Sequence, residues 1–259
     1  MEYPITDVGE HQPQLIWRDF LMRNVRIQHD KMLWLKDMID IIDAHRFEDD
    51  FCNFLDIEYK WYLDESPGGS GIKTEECVDM VNGVLEFITN GEDEAYGELT
   101  QPCECWKLLA CYPLYGEIRF YLSDVTDSAF WFGYVEGHNY LKEGAPDDYA
   151  VFHKDDGNAY LDFSNALGAV PKNSNELITL LKDTWYRLGI HWDGDGTIRY
   201  FVIQDGDFPQ TILATGSHTT YIPTEVMSFG FGLQAGAAAA KTLYVDYVKS
   251  VQKRVIEAI

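Results

Sequence analysis

The sequence predicts an all-β fold of two packed antiparallel sheets, and three observations carry that expectation. Apolar and aromatic side chains alternate with a period of two over most of the chain. Turn clusters of Asp, Gly and Asn separate the alternating runs. No alternation of strands with helices and no internal repeat interrupts them, which leaves a two-sheet sandwich as the architecture.

The elements follow in order. Residues 1–46 are expected to form an N-terminal arm containing a short helix. Asp30 is placed to cap that helix, and Met32, Leu35, Met38, Ile39 and Ile42 fall at helical spacing behind it. The stretch from Leu15 to Arg26 is aromatic-rich and holds Arg18, Arg23 and Arg26. An arm this apolar needs something to lie against, either the parent domain or another chain. Residues 47–259 form the sandwich domain. Between Glu117 and Ser123, Ile118, Phe120 and Leu122 share one strand face. Between Trp185 and Trp192 the shared face is Tyr186, Leu188, Ile190 and Trp192. From Thr197 to Ile203, Ile198, Tyr200 and Val202 oppose Arg199, Phe201 and Ile203. The runs 155–158 (Asp-Asp-Gly-Asn), 193–196 (Asp-Gly-Asp-Gly) and 205–207 (Asp-Gly-Asp) read as hairpin turns, because Gly and Asn accept the backbone angles of tight reversals.

Composition bounds the function. The chain has 259 residues, with 20 Lys and Arg against 43 Asp and Glu, a net charge of −23. At this length a single core forms without staples, since a chain of about 300 residues buries roughly 75% of its unfolded surface. An apolar fraction of 46% excludes a largely disordered chain. The acidic balance argues against nucleic acid as a partner, because phosphate recognition requires clustered Lys and Arg. No run reaches the ~20 apolar residues of a membrane span, and the first residues lack a basic segment followed by an apolar one, so neither a membrane nor an export signal is expected. Five cysteines, Cys52, Cys77, Cys103, Cys105 and Cys111, then read as reduced thiols.

Several constellations suggest chemistry, and each has a plainer account. Cys103, Cys105 and Cys111 lack the spacing and the fourth ligand of a zinc site, and read instead as small, half-buried side chains on strand-forming sequence. Gly230, Gly232 and Ala235 match a dinucleotide fingerprint in letters only. Phe229, Phe231 and Leu233 alternate as a strand, leaving Ser228, Gly230 and Gly232 as a flat face able to pack on the opposite sheet or on a partner. In the run after Asp193, Thr197 and Ile198 stand where a calcium loop needs a ligand and a glycine, so a hairpin is expected. Asp56 and Glu58 alternate on one strand face as the catalytic acids of sandwich glycosidases do, but Phe54 replaces the first acid. His11, His29, His45, His138, His153, His191 and His218 show no ligand spacing. No catalytic, cofactor-binding or metal-binding residue is therefore assigned, no cofactor is expected, and the chain is expected not to be an enzyme. Trp131, Tyr134, Tyr140, Tyr149 and Tyr160 crowd one stretch and could either stack on sugars or fill the core.

The segment from Thr184 to Gly194, with Ile198 to Ile203 and Tyr221 to Pro223, resembles the concanavalin A-like lectin and glucanase fold, which implies a jelly-roll sandwich. The run from Phe229 to Lys249, with Asp50, Phe51 and residues 132–134, resembles tailed-bacteriophage head decoration, or cement, proteins. The resemblance spans roughly Phe47 to Arg254. It implies a virion structural protein on the outer capsid surface, assembled in the bacterial cytoplasm, with the major capsid protein as partner and a homo-oligomer, a trimer favoured, as the assembly. It brings no catalytic residues. The alternative is a carbohydrate-binding, lectin-like module.

Overall fold

The computed structural model describes residues 44–51, 60–66, 72–76, 83–141, 144–205 and 211–253. The expected arm helix after Asp30 and the pair Asp56 and Glu58 lie outside these residues, as do Cys52 and Cys77. Among the described residues fifteen strands form two antiparallel sheets, so the expected sandwich is the observed one.

The eight-stranded sheet holds β1 (Ala44–Asp49), β3 (Ile72–Glu76), β4 (Leu85–Thr89), β6 (Leu114–Leu122), β11 (Tyr186–Trp192), β12 (Ile198–Gln204), β13 (Thr211–His218) and β15 (Thr242–Lys253). Its order is β13-β12-β11-β6-β15-β4-β3, and β1 pairs with the second half of β15. The seven-stranded sheet holds β2 (Tyr62–Glu65), β5 (Tyr96–Thr100), β7 (Ser128–Val135), β8 (Tyr149–Lys154), β9 (Tyr160–Leu167), β10 (Val170–Thr179) and β14 (Ser228–Ala235), in the order β10-β9-β8-β7-β14-β5-β2. Consecutive hairpins run β7-β8-β9-β10 and β11-β12-β13, while β14 and β15 insert centrally, one into each sheet. Among the described residues no helix is long and apolar enough to cross a membrane.

Alternation places the core. Ile118, Phe120 and Leu122 of β6 and the even-numbered residues 186–192 of β11 face inward against Phe130, Phe132 and Phe229 of the other sheet. Phe120 stacks on Phe130 at 4.5 Å and Tyr200 on Phe163 at 4.3 Å, so aromatic pairs tie the two layers together. The turn after β11 closes on its own carboxylate. Asp193 Oδ1 accepts from the amides of Asp195 (2.8 Å) and Thr197 (3.0 Å), and Oδ2 accepts from Arg199 (2.8 Å). That is the expected hairpin, with Asp193 satisfied by protein donors.

On its other face the eight-stranded sheet carries a buried ion network. Glu117 accepts from Lys249 Nζ (3.0 Å) and from the hydroxyls of Tyr115 and Tyr247. Asp205 bridges Arg187 (2.9 Å) and Arg119 (2.6 Å). Burial works to raise the Glu117 pKa, but Lys249, Arg187 and the two hydroxyls together hold it below the ordinary carboxylate value. Tying β6, β11 and β15 to one another and to the residue that follows β12 in this way fixes their register.

Candidate functional site

Strand alternation sends the odd residues of β14 inward and leaves Ser228, Gly230 and Gly232 facing away from the core. Register then builds a row across the outer face of the seven-stranded sheet. Asp64 pairs with Glu98, Glu98 with Gly232, Gly232 with Trp131, Trp131 with His153, and His153 with Asp162. A neighbouring row runs from Tyr62 through Thr100, Gly230 and Gly133 to Val151 and Ser164.

Glycine at 232 is what lets the row close. A Cβ there would collide with the Trp131 indole nitrogen and the Glu98 side chain. With none, the indole lies over β14 and donates from Nε1 to Glu98 Oε1 at 2.9 Å, two strands away. The segment 136–141 folds over the same spot. Tyr140 N and Leu141 N donate to that oxygen at 2.8 and 2.6 Å. The Tyr140 ring packs on Trp131 (5.5 Å) and Tyr149 (5.7 Å), and Gly137 N donates to Glu104 Oε1 (2.6 Å). His138 Nδ1 lies 3.1 Å from Ser228 Oγ and 3.3 Å from Thr100 Oγ1, with its ring 4.9 Å from that of Tyr62. Turned so that its nitrogen faces the carboxylate, Asn139 donates to Asp64 Oδ2 at 2.5 Å.

Glu98 is the electrostatic centre. Its side chain is 0% exposed, Oε1 takes three donors, and Oε2 has no hydrogen-bond partner. Burial pushes its pKa from 4.5 up to about 7. The three N–H donors pull it down and the charge of Asp64 adds to the rise. A carboxylate so placed changes charge near neutral pH, beside a tyrosine ring that is 45% exposed and amide, imidazole and hydroxyl groups able to donate or accept.

The structure redistributes the residues singled out from sequence. Trp131, Tyr140 and Tyr149 do gather on this face, but Trp131 is 0% exposed beneath Tyr140 and is a support, not a platform. Tyr134 points the other way, into the core, where its hydroxyl meets Ser250 Oγ at 2.7 Å. Tyr160, 43% exposed, stands at the far end of the same face. The expectation of a flat face of Ser228, Gly230 and Gly232 able to pack on the opposite sheet is corrected. They face outward, where Thr100, Trp131 and Glu98 of neighbouring strands lie against Gly230 and Gly232, and His138 of the segment 136–141 meets Ser228.

The cysteines are corrected as well, because Cys103 and Cys111 are exposed and occupy the segment between β5 and β6. Cys105 is partly buried with its Sγ 3.2 Å from that of Cys103, and burial, with the Cys103 contact, pushes its thiol up to about 12. Among the described residues no group of three or more His, Cys, Asp or Glu is arranged to hold a metal ion. His218 is held by Asn165 Oδ1 (2.5 Å) and Ser174 Oγ (2.7 Å) as a structural imidazole, and burial pushes His191 down to about 3. Sequence reasoning missed Asp64 and Glu98. The one local signal is a charged residue at 98 inside a strand whose other four members are also buried.

No protein-family model matches this chain, and no curated protein matches it. Solved structures do. A protein of unknown function from Shewanella oneidensis MR-1 aligns with a TM-score of 0.61 at 13% identity, covering 83% of this chain and 89% of that one. Arcelin-5, a lectin-like defense protein from Phaseolus vulgaris, aligns at 0.54 and 11% identity, covering 82% of this chain and 100% of its own. An endo-β-1,4-glucuronan lyase from the fungus Trichoderma reesei aligns at 0.51 and 12% identity, covering 81% and 95%. At such identities the likeness shows the fold: a concanavalin A-like, lectin-type jelly roll.

Proposed function

We propose that this protein is a carbohydrate-binding module whose site is the outer face of the seven-stranded sheet beside 136–141. The observation that carries the reading is Glu98, a carboxylate buried on the solvent side of a sheet where core packing has no use for one. Around it stand the groups that recognise sugars: an exposed tyrosine ring to stack on a pyranose, and carboxylate, amide, imidazole and hydroxyl groups for its hydroxyls. The exposed rings Tyr62 and Tyr160 stand at the two ends of this face, five strand spacings or about 24 Å apart, with outer residues Thr100, Trp131, Val151 and Ser164 buried between them. The lectin-like fold supports the same reading.

Binding without turnover is the form we propose. The lyase of the same fold bears on architecture alone, and any release of oligosaccharide products from a polysaccharide would overturn this part. Screening on an array of neutral, amino and acidic glycans tests the whole. Wild type is expected to be retained, and Tyr62→Ala and Tyr160→Ala to weaken retention by about tenfold each, the loss of one stacking ring, with melting temperatures unchanged. Retention of no glycan, or of the same glycans by both variants, contradicts the reading. Trp131→Ala is unsuitable, because that ring is structural.

A virion role, as a capsid decoration protein bound to the major capsid protein, has the run from Phe229 to Lys249 behind it. Those residues form β14 and β15, whose inward side chains Phe229, Phe231, Leu233, Leu243, Val245 and Val248 belong to the core. The run is thus accounted for by packing, and the virion placement is a separate proposal. Cosedimentation of the pure protein with capsids supports it, and a free monomer that ignores capsids contradicts it.

A further inference from the structure

We infer that the site selects cationic amino sugars, such as glucosamine oligomers, over acetylated or acidic ones; this rests on the carbohydrate reading above. The charge on the face points one way. No residue of β2, β5, β7, β14 or 136–141 is Lys or Arg, while Asp64 and Glu98 sit opposite each other on adjacent strands. Lys154 of β8 turns inward and is held by the carbonyls of Ser128 and Asp155, and Lys60, two residues before Tyr62, pairs with Asp49 at 3.7 Å.

The second observation is independent of that acidity. Glu98 is fully buried, its Oε1 is saturated by donors from β7 and 136–141, and Oε2 accepts nothing. Asp64 lies across the ladder on the opposite side from those donors. A carboxylate with one oxygen committed and the other without a donor is completed by a group that brings both positive charge and N–H bonds. A protonated sugar amine supplies both. An uronate or a sulfated sugar supplies the wrong charge, and an N-acetyl group supplies one neutral N–H. Tyr62, with its exposed ring beside His138, supplies the apolar wall that separates a sugar amine from a bare polyamine.

The test compares chitosan oligomers, N-acetylated chitin oligomers of the same length, heparin fragments and spermine by titration calorimetry at neutral pH. The quantity read is the ratio of affinities, which a partly unfolded sample does not distort. Wild type is expected to prefer the chitosan oligomer to the acetylated one by about tenfold, the worth of one charge-assisted hydrogen bond. Glu98→Gln and Asp64→Asn are each expected to bring that ratio close to one, while Tyr160→Ala weakens both sugars and leaves the ratio alone. Preference for the acetylated oligomer or for heparin, or an unchanged ratio in both carboxylate variants, overturns the inference while leaving a neutral-sugar site intact. Spermine binding as tightly as the oligomer overturns it too, by showing charge recognition without a sugar.

Discussion

Glu98 has given up its water on both carboxylate oxygens and recovered donors on one. The physical consequence is a carboxyl group that prefers to be neutral in the folded state, at about 7 against 4.5 when exposed. Folding therefore takes up a proton between those two values. Stability falls as pH rises from 4.5 to 7, and the whole penalty is present above 7. Glu98→Gln keeps an acceptor for the three N–H donors and removes the charge. It is expected to raise unfolding stability above pH 7 by up to about 3 kcal/mol and to leave it nearly unchanged near pH 4.5. Urea unfolding at the two extremes checks this. An equal change at both would mean that Glu98 is not the proton-linked group.

At the scale of elements, the site is made by register. Strand β14 acts as a shelf, its glycines allowing the Trp131 indole to cross it, and 136–141 is pinned over the result through Glu98. Gly232→Ala is expected to push the indole off its carboxylate and to cost about 1–3 kcal/mol, the usual range for overpacking a tight site. Loss of Trp131 fluorescence quenching or blue shift, alongside the stability measurement, reports whether the ring has moved. A fully tolerated alanine would refute the shelf. These contacts were hidden in the sequence for a physical reason. The alternation of Tyr186, Leu188, Ile190 and Trp192, and the Asp193 turn that follows, are local patterns and were legible as strand and hairpin. Asp64, Glu98, Trp131 and Gly232 come from four separate stretches and meet only after four strands pair. Aromatic crowding between 131 and 160 marked the right region, but it could not say that Trp131 lies beneath Tyr140 while Tyr134 points inward.

For the whole molecule, the sandwich explains why the two faces differ. The eight-stranded sheet neutralises its outer charges internally, Glu117 against Lys249 and Asp205 against two arginines. In the seven-stranded sheet, β2, β5, β7 and β14, which carry the face proposed to bind sugar, contribute Asp64 and Glu98 to it and contain no Lys or Arg. The chain as a whole carries a net charge of −23, so association with a cationic amino sugar is expected to weaken as salt is added. The most direct test is backbone hydrogen exchange with and without the tightest glycan from the array. Binding at the proposed face slows the amides of Tyr140 and Leu141 and those of β2 and β5, leaving β11 to β13 unchanged. Protection confined to the eight-stranded sheet, or spread evenly over both layers, would contradict it.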